Sequence, residues 1–124
     1  MARAQTRSKR KLSGGRYHAS RTKRKEELAR KPTLTLLKEN KVKKIRTIGG
    51  QIKKVLLSAK EISVTDKKGK TQKTEILNVL ENPANPNLVR RNILTKGALV
   101  ETKLGKVKIT SRPGQSDTVN GVLV

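Results

Sequence analysis

The sequence contains no cysteine, tryptophan or phenylalanine, and its 124 residues include one tyrosine and one histidine. Without cysteine, a disulfide framework and a thiolate-based zinc site are excluded. No run of about 18 apolar residues is present, so no segment is predicted to cross a membrane. No set of nucleophile, base and oxyanion donors can be assembled from the side chains that remain. The sequence therefore predicts a protein that is not an enzyme and that has no cofactor, no metal site and no small-molecule substrate.

Acidic residues are scarce as well, because nine Asp and Glu stand against 31 Lys and Arg, which gives a net charge of +22. A field of this sign attracts polyanions and repels itself when they are absent. Nucleic acid is therefore the leading partner class, ahead of anionic membranes and of acidic proteins. The membrane alternative is set aside because residues 20–31 offer only Leu28 and Ala29 as an apolar face.

Apolar content rises abruptly near Pro32, after which 29 of the 31 Val, Ile and Leu residues lie. Residues 1–31 hold twelve basic and two acidic residues and cannot bury enough apolar surface to offset the entropy of ordering. They are predicted to form a basic, largely disordered N-terminal extension, flexible over 1–19 and with one short helix near 21–30. Residues 32–124 are predicted to form the folded body.

The body shows apolar residues at every second position, which is typical of half-buried strands. Examples are TLTLL (33–37), with Leu34 and Leu36 predicted on one face, EISVTD (61–66) and KVKIT (106–110). The predicted turns that separate the strands are at 49–50, 67–70, 104–106, 113–114 and 120–121. The predicted fold class is all-β, a small β-barrel of about six short antiparallel strands.

The lack of aromatic residues in 32–124 narrows the mode of nucleic-acid binding. Sequence-tolerant single-strand binders stack bases on aromatic rings, and this body has none. Lys and Arg on phosphates remain, so the protein should recognise the shape of a folded RNA or the form of DNA. The extension is either a nonspecific basic tail or a segment that threads into folded RNA. Gly49 and Gly50 form either a plain hairpin turn or a turn whose backbone approaches phosphate.

Three stretches resemble the S-eight-e family of archaeal and eukaryotic small-ribosomal-subunit proteins: RSKRKLSGGRYHASRTKRKEELARKP (7–32), KKIRTIGGQIKKVLL (43–57) and NPNLVRRNILTKGALVET (85–102). The resemblance implies a β-barrel body with a basic extension that binds small-subunit rRNA. The eukaryotic members carry a long expansion that is missing here, so the chain resembles the archaeal form. A ribosome-assembly factor of the same family, or a chromatin-type DNA-binding protein, are the alternative functions.

With this resemblance, the expected function is that of a structural constituent of the small ribosomal subunit in the cytoplasm. The expected partners are small-subunit rRNA and neighbouring ribosomal proteins, with no membrane. The residues predicted to contact rRNA in the extension are Arg3, Arg7, Lys9, Arg10, Lys11, Arg16, Tyr17, His18, Arg21, Lys23, Arg24, Lys25, Arg30 and Lys31. Those predicted in the body are Lys43, Lys44, Arg46, Gly49, Gly50, Lys53, Lys54, Arg90 and Arg91.

Overall fold

The computed structural model of the chain describes residues 8–18, 21–22, 24, 28, 31–47 and 49–124. The chain divides into two compact units, Met1–Pro32 and Thr33–Val124. The two units are described separately.

Residues 8–18 of the first unit form a small β-hairpin. Arg10 and Arg16 are partners in an antiparallel bridge, and the N–H of Lys11 donates to the C=O of Gly15 at 2.8 Å. Every side chain of this segment is exposed, so the hydrogen bonds of the turn, and not burial, define its shape. The hairpin therefore presents its basic side chains to solvent.

The predicted helix near residues 21–30 falls mostly on residues outside the described part of the chain. The four described residues of that stretch are not helical, and they are Arg21, Thr22, Arg24 and Leu28. The predicted disorder of 1–19 stays a prediction, and part of that range also lies outside the described residues.

The second unit confirms the all-β prediction. Its strands are β1 Thr35–Leu37, β2 Lys41–Arg46, β3 Ile52–Ala59, β4 Glu61–Thr65, β5 Thr71–Glu81, β6 Ile93–Leu94, β7 Leu99–Thr102, β8 Gly105–Ile109 and β9 Asn120–Leu123. A short 3₁₀ helix, Pro86–Leu88, precedes β6. The barrel contains five of these strands, close to the about six predicted for it. The second sheet was not predicted, and its strands β1 and β6, with three and two residues, are too short to show a period of two in sequence.

Five strands close into a barrel in the order β4-β5-β7-β8-β9. Four of the barrel pairings are antiparallel, and the fifth, between β4 and β9, is parallel and closes the barrel. The other four strands form a separate sheet in the order β2-β3-β1-β6, in which β1 and β3 are also parallel. The prediction of antiparallel strands alone is therefore incomplete, since it missed two parallel pairings.

The core is aliphatic, as the composition predicts. Within the barrel, Ile62, Val64, Val100, Val107 and Ile109 are at most 1% exposed. The sheet contributes three buried residues to the same core cluster, and they are Leu56, Ala59 and Leu94. The sheet and the barrel thus share one core within the second unit.

Two local predictions are wrong for packing reasons. Leu34 and Leu36 were predicted to share the apolar face, but the buried residue is Thr35 at the start of β1, and Leu34 before the strand is exposed. The Thr35 hydroxyl donates to the C=O of Leu56 at 2.8 Å. Its hydrogen bond satisfies the one polar group that a buried threonine brings. Asn120 and Gly121 form no turn and instead begin β9. Gly121 lies there because a side chain would overlap Val107 and Ile62 in the core.

Candidate nucleic-acid interface

Strands β2 and β3 form a basic β-hairpin that extends beyond the core. Every residue of β2 is exposed except Ile45, which is half-buried, and β3 is exposed over residues 52–54 before Val55 and Leu56 become buried. The β-branched residues Val42, Ile45 and Ile52 favour strands here. The apolar residues at 42, 45 and 48 are three apart, so their spacing in sequence is ambiguous. The hairpin therefore offers both of its faces to a partner.

The register of the hairpin assigns its cations to two faces. Lys44 pairs with Lys54 and Val42 pairs with Leu56, and pairing residues point to the same side. That side, termed the Lys44 face, carries Val42, Lys44, Arg46, Ile52, Lys54 and Leu56. The opposite face carries Lys43, Ile45, Lys53 and Val55. Each face thus holds at least two of the cations that the sequence predicts to contact RNA.

Gly49 and Gly50 form the turn that joins the two strands, as predicted. The N–H of Thr47 donates to the C=O of Gln51 at 2.8 Å, and its hydroxyl donates to the same oxygen at 2.9 Å. Both glycines have positive φ, 87° and 84°, a region that L side chains rarely adopt. Among the described residues, no atom lies within 4 Å of a methyl group placed on either glycine. Close approach of this backbone to phosphate stays a prediction.

The electrostatics of the hairpin are unfavourable in the absence of an anion. Lys44 and Lys54 are direct cross-strand partners, and like charges in that position destabilise a sheet. The Lys54 Nζ lies 3.9 Å from Asp117 Oδ2, and the Lys53 Nζ donates to Gln115 Oε1 at 3.3 Å. These contacts are exposed, so each contributes at most about 1 kcal/mol to stability. The hairpin itself contains no acidic residue.

Arg90 and Arg91 lie in the turn that precedes β6, at the other edge of the sheet from β2. They follow the 3₁₀ helix, which the Asn85 side chain caps by accepting from the N–H of Asn87. Strand β6 follows them, and β6 and β2 form the two edges of the four-stranded sheet. Three strand spacings of about 4.8 Å separate these edges by roughly 14 Å. The structure therefore does not bring Arg90 and Arg91 next to the cations of the β2–β3 hairpin.

The extension's predicted contact residues are only partly described. Those in the 8–18 hairpin are Lys9, Arg10, Lys11, Arg16, Tyr17 and His18. The Lys11 Nζ lies 5.7 Å from the centre of the Tyr17 ring, within cation–π range. Arg21, Arg24 and Lys31 are described as exposed, whereas Arg3, Arg7, Lys23, Lys25 and Arg30 lie outside the described residues.

Sequence reasoning missed two features of this region. Lys41, the first residue of β2, is exposed next to the predicted cations, and its place in the run KVKKIR could have indicated it. Glu61 and Asp117 line a cleft beside the hairpin. They are far apart in sequence, and no local pattern could have connected them.

Other kinds of site were also sought in the described part of the chain. There, no three His, Cys, Asp or Glu side chains lie together as metal ligands would. No helix in the described ranges is long and apolar enough to cross a bilayer.

Comparison with known proteins identifies the family. Residues 4–124 match the family described as Ribosomal protein S8e. The chain is 52% identical over 125 residues to the small ribosomal subunit protein eS8 of Methanobrevibacter smithii, and the match covers all of both chains. It is 51% identical to the protein of the same name from Methanocorpusculum labreanum, with 97% of each chain covered. The corresponding protein of Nanoarchaeum equitans is 52% identical, with 97% of this chain and 95% of that one covered. The resemblance seen in the sequence is confirmed, and the chain belongs to the ribosomal protein S8e family.

Proposed function

We propose that this chain binds small-subunit rRNA through Lys and Arg contacts to phosphate, made by the β2–β3 hairpin and the N-terminal extension. Its family makes it a structural, non-enzymatic ribosomal component, part of a particle of rRNA and proteins. Its place is accordingly the small ribosomal subunit in the cytoplasm. The finer part of the proposal is the identity of the residues that contact RNA. It also includes a role for these contacts in translation and in assembly of the subunit.

The observation that carries the proposal is the projecting hairpin with five predicted cations and no acid. Lysines held directly opposite each other weaken a free hairpin, and a phosphate bound between them would attract both and offset their mutual repulsion. Each contact to a phosphate also releases condensed counterions, which favours binding entropically. A strand pair with this charge pattern is therefore better suited to a bound polyanion than to solvent alone.

The extension supports the same function by a different route. Its twelve Lys and Arg residues repel each other in a free chain, whereas phosphates on several sides of a folded RNA would neutralise them. Segments that order on binding can cover large surfaces, although the entropy lost on ordering lowers the affinity per unit of interface area. The exposed 8–18 hairpin offers its bridge partners, Arg10 and Arg16, for the same kind of contact.

The proposal is tested by the salt dependence of binding to a small-subunit rRNA fragment. The five hairpin cations, Lys43, Lys44, Arg46, Lys53 and Lys54, are replaced together by Gln in the full-length chain. If all five contact phosphate, the slope of log K against log salt should decrease by roughly 3.5–4.5, at about 0.7–0.9 per contact. The affinity at low salt should decrease with it.

A charge-matched control separates a defined interface from diffuse attraction. Lys67, Lys68, Lys70, Lys96 and Lys106 are exposed and lie outside the hairpin, and replacing them by Gln removes the same charge. We expect this variant to change the slope by less than half as much. Equal changes in the two variants would contradict an interface at the hairpin. Equal affinity of the wild-type chain for duplex DNA of the same length would favour a chromatin-type function instead.

A further inference from the structure

A cleft of about 220 Å³ lies within the second unit, lined by residues of the β2–β3 hairpin, of β4 and β5, and of the segment 117–119 that precedes β9. Its floor is aliphatic and includes Leu56, Ile62 and Val119, all of which are buried. Sites for drug-sized ligands measure roughly 300–1,000 Å³, so a smaller cleft fits one planar ring system and not a longer ligand.

The rim of the cleft is polar and carries both signs of charge. Glu61 and Asp117 supply two carboxylates, and Lys73 supplies an ammonium group. Within the described part of the chain, neither Glu61 nor Lys73 forms an ion pair, and Asp117 has one long contact, to Lys54. Asn40, Ser63 and Thr118 also line the cleft, so two carboxylate acceptors, one ammonium donor and three neutral polar side chains surround an apolar floor.

The cleft lies at the base of the face that holds the hairpin's cations. Val42 and Leu56 line the cleft, and the register places Lys44 and Lys54 on the same face. The contact of Lys54 with Asp117, at 3.9 Å, independently joins this face to the rim. An RNA backbone bound along the Lys44 face would therefore pass the mouth of the cleft.

We propose that this cleft holds a single extruded guanine base of the bound RNA, an inference that rests on the proposed RNA binding. Carboxylates repel phosphate but accept hydrogen bonds from base amino and imino groups. The Watson–Crick edge of guanine presents two adjacent donors, N1–H and the N2 amino group, followed by the acceptor O6. Glu61 or Asp117 accepts from the two donors, and Lys73 donates to O6. The aliphatic floor contacts the ring in place of the missing aromatic residues.

The other bases fit this rim less well. Adenine and cytosine each present one donor group beside acceptors on that edge, and uracil presents one donor between two acceptors. A carboxylate facing those acceptors would leave unfavourable contacts, and such mismatches reject a ligand more strongly than a missing apolar contact does. A basic side chain of a neighbouring protein is the competing occupant, and it needs no planar apolar floor.

The test uses the full-length chain and RNA hairpins that differ only in one bulged nucleotide: guanosine, inosine, adenosine or uridine. Guanosine should bind about tenfold more tightly than adenosine or uridine, since a bidentate base contact contributes roughly 1–3 kcal/mol. Inosine lacks the N2 amino group and should lie between them. In the variant Glu61→Gln with Asp117→Asn, the preference for guanosine should fall below about threefold.

The matched control is Glu101→Gln, which removes an exposed acid from β7 outside the cleft. Loss of any acid raises the affinity of a basic protein for RNA, so the measured quantity is the ratio of the affinities for the guanosine-bulge and adenosine-bulge RNAs. The Glu101→Gln control should keep the wild-type ratio. Equal affinity for all four bulges would overturn the guanine site, even with the hairpin's salt slope intact. A preference that survives in the double variant would overturn its assignment to this cleft.

A second readout examines the cleft itself. The backbone amide signals of Ser63 and Val119 should shift when the guanosine-bulge RNA is added and should shift less with the adenosine-bulge RNA. Shifts produced by an arginine-rich peptide and not by the RNA would overturn the proposal in favour of a protein side chain. If the variant with all five hairpin cations replaced by Gln kept the wild-type slope of log K against log salt, the proposed RNA binding by the hairpin would be contradicted. Failure of the guanine site and failure of the proposed function are therefore distinguishable.

Discussion

At the scale of single residues, Glu75 is the acid with the clearest structural partners. Its Oε2 lies 2.8 Å from the Lys103 Nζ, and its Oε1 lies 3.3 Å from the Lys60 Nζ. The hydrogen bond from Lys103, followed by that from Lys60, holds the pKa of Glu75 below its usual value of 4.5. Lys103 lies in the β7–β8 turn and Lys60 immediately before β4, so the carboxylate of Glu75 in β5 links neighbouring parts of the barrel.

The lowered pKa of Glu75 predicts how stability depends on pH. Because the folded-state pKa lies below the unfolded-state one, the stabilisation is complete above the unfolded value and is lost as pH falls through the folded value. Glu75→Gln should therefore lower Tm slightly at about pH 6, and the difference from wild type should disappear near about pH 3. Thermal melts over this range measure it, with Glu101→Gln as control. A Tm difference that persists unchanged in acid would contradict the ion-pair explanation.

The same scale shows where sequence reasoning fails. The alternation in 33–37 predicts that Leu34 and Leu36 share the apolar face, but the buried residue is Thr35, whose hydroxyl finds an acceptor in the interior. Asn-Gly is a strong turn signal, yet Gly121 serves close packing in β9, against side chains that are distant in sequence. In both cases the deciding contact is tertiary, so no local pattern could contain it.

At the scale of secondary-structure elements, the cations that suit the β2–β3 hairpin to the proposed RNA binding also lower the stability of the free hairpin. Its free form carries Lys44 directly opposite Lys54, which is unfavourable for a sheet. Its exposed apolar residues, Val42 and Ile52 at 48% and 66%, add no compensating burial. Such an arrangement is expected where binding a polyanion has been favoured over stability of the free protein.

This conflict predicts that Lys44→Glu changes stability and RNA affinity in opposite directions. The new carboxylate would pair with Lys54 and stabilise the hairpin by roughly 0.2–1 kcal/mol. It would also repel phosphate and weaken binding to rRNA. Thermal melts and titrations of the same samples measure both effects. The control is Lys67→Glu in the β4–β5 turn, which makes the same charge change away from the hairpin. A fall in Tm for Lys44→Glu would contradict the cross-strand explanation.

The elements were partly predictable because turns and alternation are local. The β4–β5 hairpin was expected from DKKGK, and Gly69 indeed closes a turn by donating to the C=O of Asp66 at 2.9 Å. The pairing of β4 with β9 was not predictable, since it joins Ser63 to Asn120 across most of the body. The basic hairpin of the candidate site was therefore readable in sequence. The cleft was not, because it depends on that long-range pairing.

At the scale of the whole molecule, charge and core are separated along the chain. The buried hydrophobic residues all lie between Val55 and Val119 among the described residues. Residues 1–31 contribute twelve of the basic groups and two of the acids. The density of positive charge is therefore highest in residues 1–31, and the described side chains at 8–18 in that segment are all exposed. The proposed rRNA binding accommodates this, because RNA phosphates, and not the protein's own acids, would neutralise these charges.

We therefore predict that residues 33–124 fold without the extension. Removing 1–32 deletes ten net positive charges and none of the described core, so self-repulsion should decrease. The shortened chain should unfold cooperatively, with a Tm at low salt equal to or above that of the full chain. The difference should narrow at high salt, where the Debye length falls to about 3 Å in 1 M salt and screens the extension's charges. Circular dichroism melts of both chains at two salt concentrations measure this. A broad, noncooperative transition of 33–124 would show that the barrel needs the extension, and that the extension is part of the fold as well as a predicted contact with RNA.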